Sequence, residues 1–284
     1  MPSEIVQRAA TFLYANARLV DRAVFAVRFS RAEPERLVRA VMAYRNADGG
    51  FGHALEADLR TPASQPLHTE VALWLLYEGG IKQPELATEV CTYLQRVAND
   101  ACELPSFVEG ALDYPAAEHW REGYGGKPSI ERVYSVVAAL HWHGADHPWL
   151  DRASVACREH LDAGLSDDAH VLQAISAFLT ETGETERLEA LVEPIKSARY
   201  YVQETPVERY GLTPLHFAPS PESPMRRHFA DALIEAHLDD LVARQQDDGG
   251  WPIAFTPPSE AAHLEWRGRW TVEALLKLEA YGRI

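Results

Sequence analysis

Two stretches of the chain concentrate groups that could do chemistry. The first, YRNADGGFGHALEADLRTP from Tyr44 to Pro62, carries His53, Glu56, Asp58 and Arg60 close together. Paired acids beside aromatic residues suit sugar chemistry, where carboxyl groups flank the bond to be cut. The same charges would equally form a solvated ion-pair network that holds a loop. The second stretch, GLSDDAHVLQAISAF from Gly164 to Phe178, sets Ser166, Asp167, Asp168 and His170 side by side. A serine followed by two acids is a good helix opening, with the hydroxyl as N-cap and the acids meeting the helix dipole. Further along, MRRHF (Met225 to Phe229) and EWRGRW (Glu265 to Trp270) offer arginine forks that match phosphate oxygens or simply face solvent. Trp266 and Arg267, with Arg269, could join His53, Glu56, Asp58 and Arg60 in ringing a pocket.

The elements that must position these groups are helical. Apolar residues recur at intervals of three and four, and no segment alternates strictly enough to read as a sheet strand. Some helices are amphipathic, as in PERLVRAVMAYRN and DALIEAHLDDLVARQQ, and belong on the outside. Others, TEVALWLLYEGG, VYSVVAALHWHG, HVLQAISAFLT and TVEALLKLEAYG, are apolar nearly all round and should be covered on every side. They alternate along the chain, outer then inner, over 33–46 and 66–79, 84–98 and 129–143, 147–161 and 166–180, and 227–245 and 265–281. The N-terminal helix and residues 184–202 supply further members. Such alternation describes helical hairpins closed into a ring, read as a single domain over 1–284. Asp48-Gly49-Gly50-Phe51 and Asp248-Gly249-Gly250-Trp251 stand 200 residues apart and use one helix-stop design twice, with glycine where the backbone must turn left-handed. The aromatic residue then plugs the joint between neighbouring hairpins. Residues 99–127 are too long for a plain connection.

Bulk composition narrows the function. A formal net charge of −15 argues against sequence-independent nucleic-acid binding, and 46% apolar residues suffice for a sizeable core. Three scattered cysteines make no disulfide framework or zinc ribbon, which fits a reducing, cytoplasmic setting. The first twenty residues are broken by Gln7, Arg8 and Arg18, so neither a signal peptide nor an integral membrane segment is expected there.

The QxDGGW motif at Gln246 to Trp251, its partner NADGGF at Asn46 to Phe51, and the helix HTEVALWLL that follows resemble the repeats of the squalene–hopene cyclase, oxidosqualene cyclase and protein prenyltransferase β-subunit superfamily. The resemblance implies an all-α fold, a single α/α toroid of six helical hairpins, with an isoprenoid or other apolar ligand in the axial cavity. Ser166-Asp167-Asp168 is similar to the acid motif of class II terpene cyclases, with Leu165 in place of the first Asp of the longer form. That likeness makes Asp167 the general acid for cationic cyclisation and Asp168 and His170 its tuning partners. An alkene is a very weak base, so such a donor must be held protonated in an apolar pocket, near aromatic faces that stabilise a carbocation. Trp74, Tyr134, Trp142 and Phe178 would line the cavity. The prenyltransferase likeness would imply zinc, but His68, Asp100 and Cys102 come in the wrong order and Ser135 stands where a ligand histidine would fall, so no metal or cofactor is expected. Mg²⁺ would enter only with a diphosphate substrate. A carbohydrate-active toroid (lyase, epimerase or glycosidase) and a non-catalytic binding module remain as alternatives, and a homodimer is left open.

Overall fold

A computed structural model describes residues 3–123 and 125–284. Its helices are Glu4–Asn16 (α1), Leu19–Phe29 (α2), Glu35–Met42 (α3), Pro66–Glu78 (α4), Pro84–Val97 (α5), Glu118–Arg121 (α6), Val133–His143 (α7), Pro148–Ala163 (α8), Ala169–Glu181 (α9), Val192–Ser197 (α10), Pro214–Phe217 (α11), Asp231–Ala243 (α12) and Glu260–Ala280 (α13). Among the described residues there is no strand, only isolated bridges, so the chain is all-α. No helix among them is long and apolar enough to cross a membrane.

The helices gather into two compact units. The first comprises the chain up to Ser30 with Leu165–Thr256 and His263–Ile284; the second comprises Arg31–Gly164 with Pro257–Ala262. In the second unit α4 and α7 pack on each other, with α3 and α5 against α4 and with α5 and α8 against α7. Leu37 and Val41 of α3, Leu73 and Leu76 of α4, Val90 and Leu94 of α5, and Val137 and Leu140 of α7 are fully buried. The expectation that α4 and α7 are covered all round is not met. Glu70, Val71 and Trp74 on α4, and Ser135 and Trp142 on α7, are only half-buried, and Tyr77 is exposed, so each helix keeps one open side.

In the first unit the N-terminal segment is two helices rather than one. Ala17 is extended at the C-cap of α1, and the chain restarts at Leu19. Gly268 of α13 sits against this break: a Cβ there would come within 2.6 Å of the Ala17 Cβ, so glycine sets how closely α13 approaches. Residues 184–202 form a 3₁₀ stretch, Thr185–Leu191, and the six-residue α10 rather than a full hairpin. Pro194 lies within α10, and Gly183, at φ 77°, turns the chain before the 3₁₀ stretch.

The two DGG loops share one hydrogen-bond pattern. Asn46 N donates to Gly50 O at 2.9 Å, and Gln246 N donates to Gly250 O at 2.9 Å. Asp48 Oδ1 accepts from Gly50 N at 3.0 Å, as Asp248 Oδ1 does from Gly250 N. Gly49 and Gly249 both hold φ 91°. Phe51 and Trp251 are buried, and their amides donate to Thr69 Oγ1 at 3.1 Å and Thr271 Oγ1 at 3.0 Å. Alanine at either turn should cost about 1–2 kcal/mol for the left-handed backbone. At Gly249 the added Cβ also meets the Arg8 carbonyl of α1, whereas at Gly49 its nearest neighbour is 3.7 Å away. Gly249→Ala should therefore lose about 1–3 kcal/mol more than Gly49→Ala, read from denaturant unfolding of the two variants.

Candidate functional site

The residues singled out at Gly164 to Phe178 do come together, at the start of α9. Asp168 is its N-cap, accepting from His170 N at 2.9 Å. Asp168 Oδ1 also lies 3.0 Å from His170 Nδ1, and His170 Nε2 lies 2.9 Å from the Tyr210 hydroxyl. Asp167 points elsewhere. Its side chain is 75% exposed and takes two hydrogen bonds from Arg199, Nε to Oδ2 at 3.1 Å and Nη2 to Oδ1 at 3.0 Å. The Arg199 hydrogen bonds hold this carboxyl below its ordinary range. A donor to an alkene must be protonated and sheltered from water; Asp167 is an ionised surface carboxylate beside a shallow depression of about 490 Å³.

Of the four loop residues, His53 is exposed, at φ 56°, with Nε2 2.9 Å from Asn46 Oδ1. Glu56 and Asp58 are buried, and the Asp58 amide donates to Glu56 Oε2 at 2.8 Å. Asp58 O accepts from Ala117 N, and Arg60 N donates to Pro115 O, so this loop is laced to the segment before α6. Both acids are buried, and the Glu56 carboxylate holds backbone. Arg267 is likewise a loop tie: it binds both carboxylate oxygens of Asp248 at 2.8 Å, reaches Gln246 Oε1 and Trp251 O, and lies 4.4 Å over the Phe12 ring. Tyr134 is fully buried, its hydroxyl donating to Cys157 O at 2.8 Å and lying 3.0 Å from His160 Nδ1, which fixes α7 to α8. Phe178 is also fully buried.

Trp74 and Trp142 lie on the open sides of α4 and α7, and with them comes a residue the sequence reading passed over, Glu70. Ser135 Oγ donates to Glu70 Oε1 at 2.5 Å and accepts from Trp74 Nε1 at 2.9 Å. Tyr77 meets Trp74 and Trp142 edge-on, each at 4.8 Å between centroids, and Lys82 lies 5.1 Å over Trp142. Glu70 keeps a strip of exposed surface, yet protein surrounds it closely enough that desolvation raises its pKa to about 6, with the Ser135 hydrogen bond and the Arg132 charge pulling partly the other way. Burial lowers the Arg132 pKa in turn, and its Nε is buried without a hydrogen-bond partner. A signal was available: a glutamate inside an otherwise apolar helix one turn before a tryptophan.

No family model matches this chain, and no curated protein matches it significantly. Function must therefore be argued from these side chains. Among the described residues no three His, Cys, Asp or Glu side chains are grouped so as to hold a metal ion. All three cysteines are buried thiols, and burial pushes Cys91 and Cys157 up to about 12, so neither is a nucleophile at neutral pH.

In the unfolded chain Glu70 ionises near 4.5, and in the fold near 6. A raised carboxyl favours folding fully below the lower value and loses that contribution as pH rises through the upper. Glu70→Gln, which stays neutral and can still accept from Ser135, should gain up to about 2 kcal/mol on the wild type between pH 4.5 and pH 8. Paired melting curves across that range test it, and a constant difference would remove the shift.

Proposed function

We propose that this chain is a carbohydrate-active enzyme of the α/α-toroid type, with Glu70 as the general acid and Trp74 and Trp142 as surfaces on which a sugar ring rests. The observation that carries the reading is Glu70 itself: a carboxyl with a pKa of about 6, aimed by Ser135 and set beside the Trp74 indole. A carboxyl of that strength is half protonated near pH 6 and can give its proton to a glycosidic oxygen as the C–O bond breaks. It is far too weak for an unactivated alkene. The Arg132 charge, which acts on Glu70, suits a polar ligand better than a hydrocarbon. The ring arrangement of hairpins is part of the proposal and rests on the apolar spacing along the sequence alone.

A second reading, an isoprenoid cyclase or prenyltransferase-like protein, is favoured by one observation: the DGGF and DGGW loops that resemble that superfamily share the same hydrogen bonds. In that case the acid is again Glu70, acting on an epoxide oxygen rather than a double bond, and the faces of Trp74, Tyr77 and Trp142 stabilise the cation.

Product analysis with oligosaccharides and with C10 to C30 isoprenoids and their epoxides, using wild type, Glu70→Gln and Asp167→Asn, separates these readings. Saccharide turnover should fall at least ~100-fold in Glu70→Gln and stay unchanged in Asp167→Asn. Cyclised isoprenoid with the same pattern would select the second reading. Full activity in Glu70→Gln would remove Glu70 as the acid from both.

A further inference from the structure

The two DGG loops share their backbone hydrogen bonds but treat their aspartates differently. Asp248 has a cation built in: Arg267 binds its two carboxylate oxygens at 2.8 Å each and stands 4.4 Å over the Phe12 ring. Four residues before the threonine that receives the loop amide, one copy has Arg267 and the other has Gln65. Gln65 carries no charge, and its side-chain amide is taken up by Val108 N at 2.7 Å and Ala63 O at 3.3 Å. Asp48 is therefore left without an arginine on its carboxylate. Oδ1 accepts from Gly50 N at 3.0 Å and from Ser64 Oγ at 2.7 Å, and Oδ2 has no partner.

An open depression of about 450 Å³ adjoins this carboxylate, lined by Asp48, Arg96, Tyr93 and the small apolar side chains of Ala63, Val97 and Val108. Arg96 Nη2 donates to the Asp48 main-chain carbonyl rather than to its carboxylate, the two charges form no ion pair, and Arg96 has no other protein acceptor. One depression thus holds a negative and a positive group, each without a counter-charge, beside apolar surface. Few polar groups among apolar ones is the usual make-up of a small-molecule site. Tyr93 adds a third unmet group: the residue is 3% exposed and its hydroxyl has no hydrogen-bond partner. A buried donor left unpaired costs free energy that a ligand acceptor offsets. In the other loop the ring pressed on the second glycine, where Tyr93 lies on Gly50, is that of Phe12, which has no hydroxyl to satisfy.

We propose that this depression binds a free amino acid with an apolar side chain. Its ammonium does for Asp48 what Arg267 does for Asp248, pairing with Oδ2. Its carboxylate accepts from the guanidinium N–H groups of Arg96, and its side chain rests on Ala63, Val97 and Val108. A simple cation is opposed by Arg96 and a simple anion by Asp48, so the pair selects a molecule that carries both charges on one carbon. The site shares no residue with the surroundings of Glu70 and does not rest on the function proposed there.

Titration of the full-length, ¹⁵N-labelled protein with L-leucine, followed by amide shifts, tests the site. The amides of Asp48, Ser64, Tyr93, Val97 and Val108 should move together and saturate. Leucinamide, which lacks the carboxylate, and isocaproate, which lacks the ammonium, should each bind at least ~10-fold more weakly, the loss expected for one charged hydrogen-bonding group. Asp48→Asn keeps the Oδ1 acceptor for Gly50 and Ser64 and removes only the charge; it and Arg96→Gln should each weaken leucine by a similar factor. Asp248→Asn, the same change in the other loop, should leave leucine binding as it is. No shift at these amides with ~10 mM leucine would overturn the proposal. So would equal affinity for leucine and either analogue, or a loss in Asp248→Asn as large as that in Asp48→Asn.

Discussion

The constraint on which much else depends is the bond from a loop amide to a threonine hydroxyl. In both DGG loops the aromatic residue's amide is buried and finds its acceptor on the helix that follows, Thr69 for Phe51 and Thr271 for Trp251. Each threonine in turn donates to the carbonyl four residues back, Gln65 or Arg267. A buried amide without an acceptor is costly, so this contact fixes how α4 and α13 are turned about their own axes. Side chains advance about 100° per residue along a helix. With Thr69 turned inward, its neighbour Glu70 and then Trp74 fall on the open side; with Thr271 turned inward, Trp270, Trp266 and Glu273 do so. One joint, used twice, thus exposes an aromatic and charged face on each of two helices.

Environment then sorts the carboxylates into separate tasks. Asp48 and Asp248 bind loop amides, and Asp248 is held below its ordinary range chiefly by Arg267. Glu56 binds the Asp58 amide. Asp21 is buried against Arg18, at 2.8 Å. Each of these is engaged as an acceptor by a loop amide or an arginine, which is a structural task. Glu70 differs because its one hydrogen bond, from the neutral Ser135, does not offset desolvation. Asp168 caps α9 and also faces the His170 ring, whose other nitrogen meets the Tyr210 hydroxyl.

Much of the helical order was legible from residue spacing alone. The expected segments 66–79, 84–98 and 147–161 correspond to α4, α5 and α8 within a few residues, because apolar periodicity and the Pro and Gly stops are local signals. The break at Ala17 was not legible, and the residue packed against it, Gly268, is distant in sequence. The grouping of Asp168 with His170 could be read from their adjacency, but the other partner of the His170 ring, Tyr210, is forty residues away. Arg267 and Tyr134 looked like ligand contacts because side-chain type does not reveal direction; one ties a loop and the other joins two helices.

What the sequence by itself determined is therefore the all-α class, the order of helices and the twin DGG stops, all consequences of interactions within a few residues. What only the tertiary structure decided is which charged groups are desolvated and which way the aromatic rings are turned. Asp167 and Glu70 are both carboxylates at helical segments, and nothing local separates them. One meets Arg199 in solvent and the other meets Ser135 and Trp74 in a half-closed setting, and it is that long-range difference in dielectric and partner that sets their proton affinities apart.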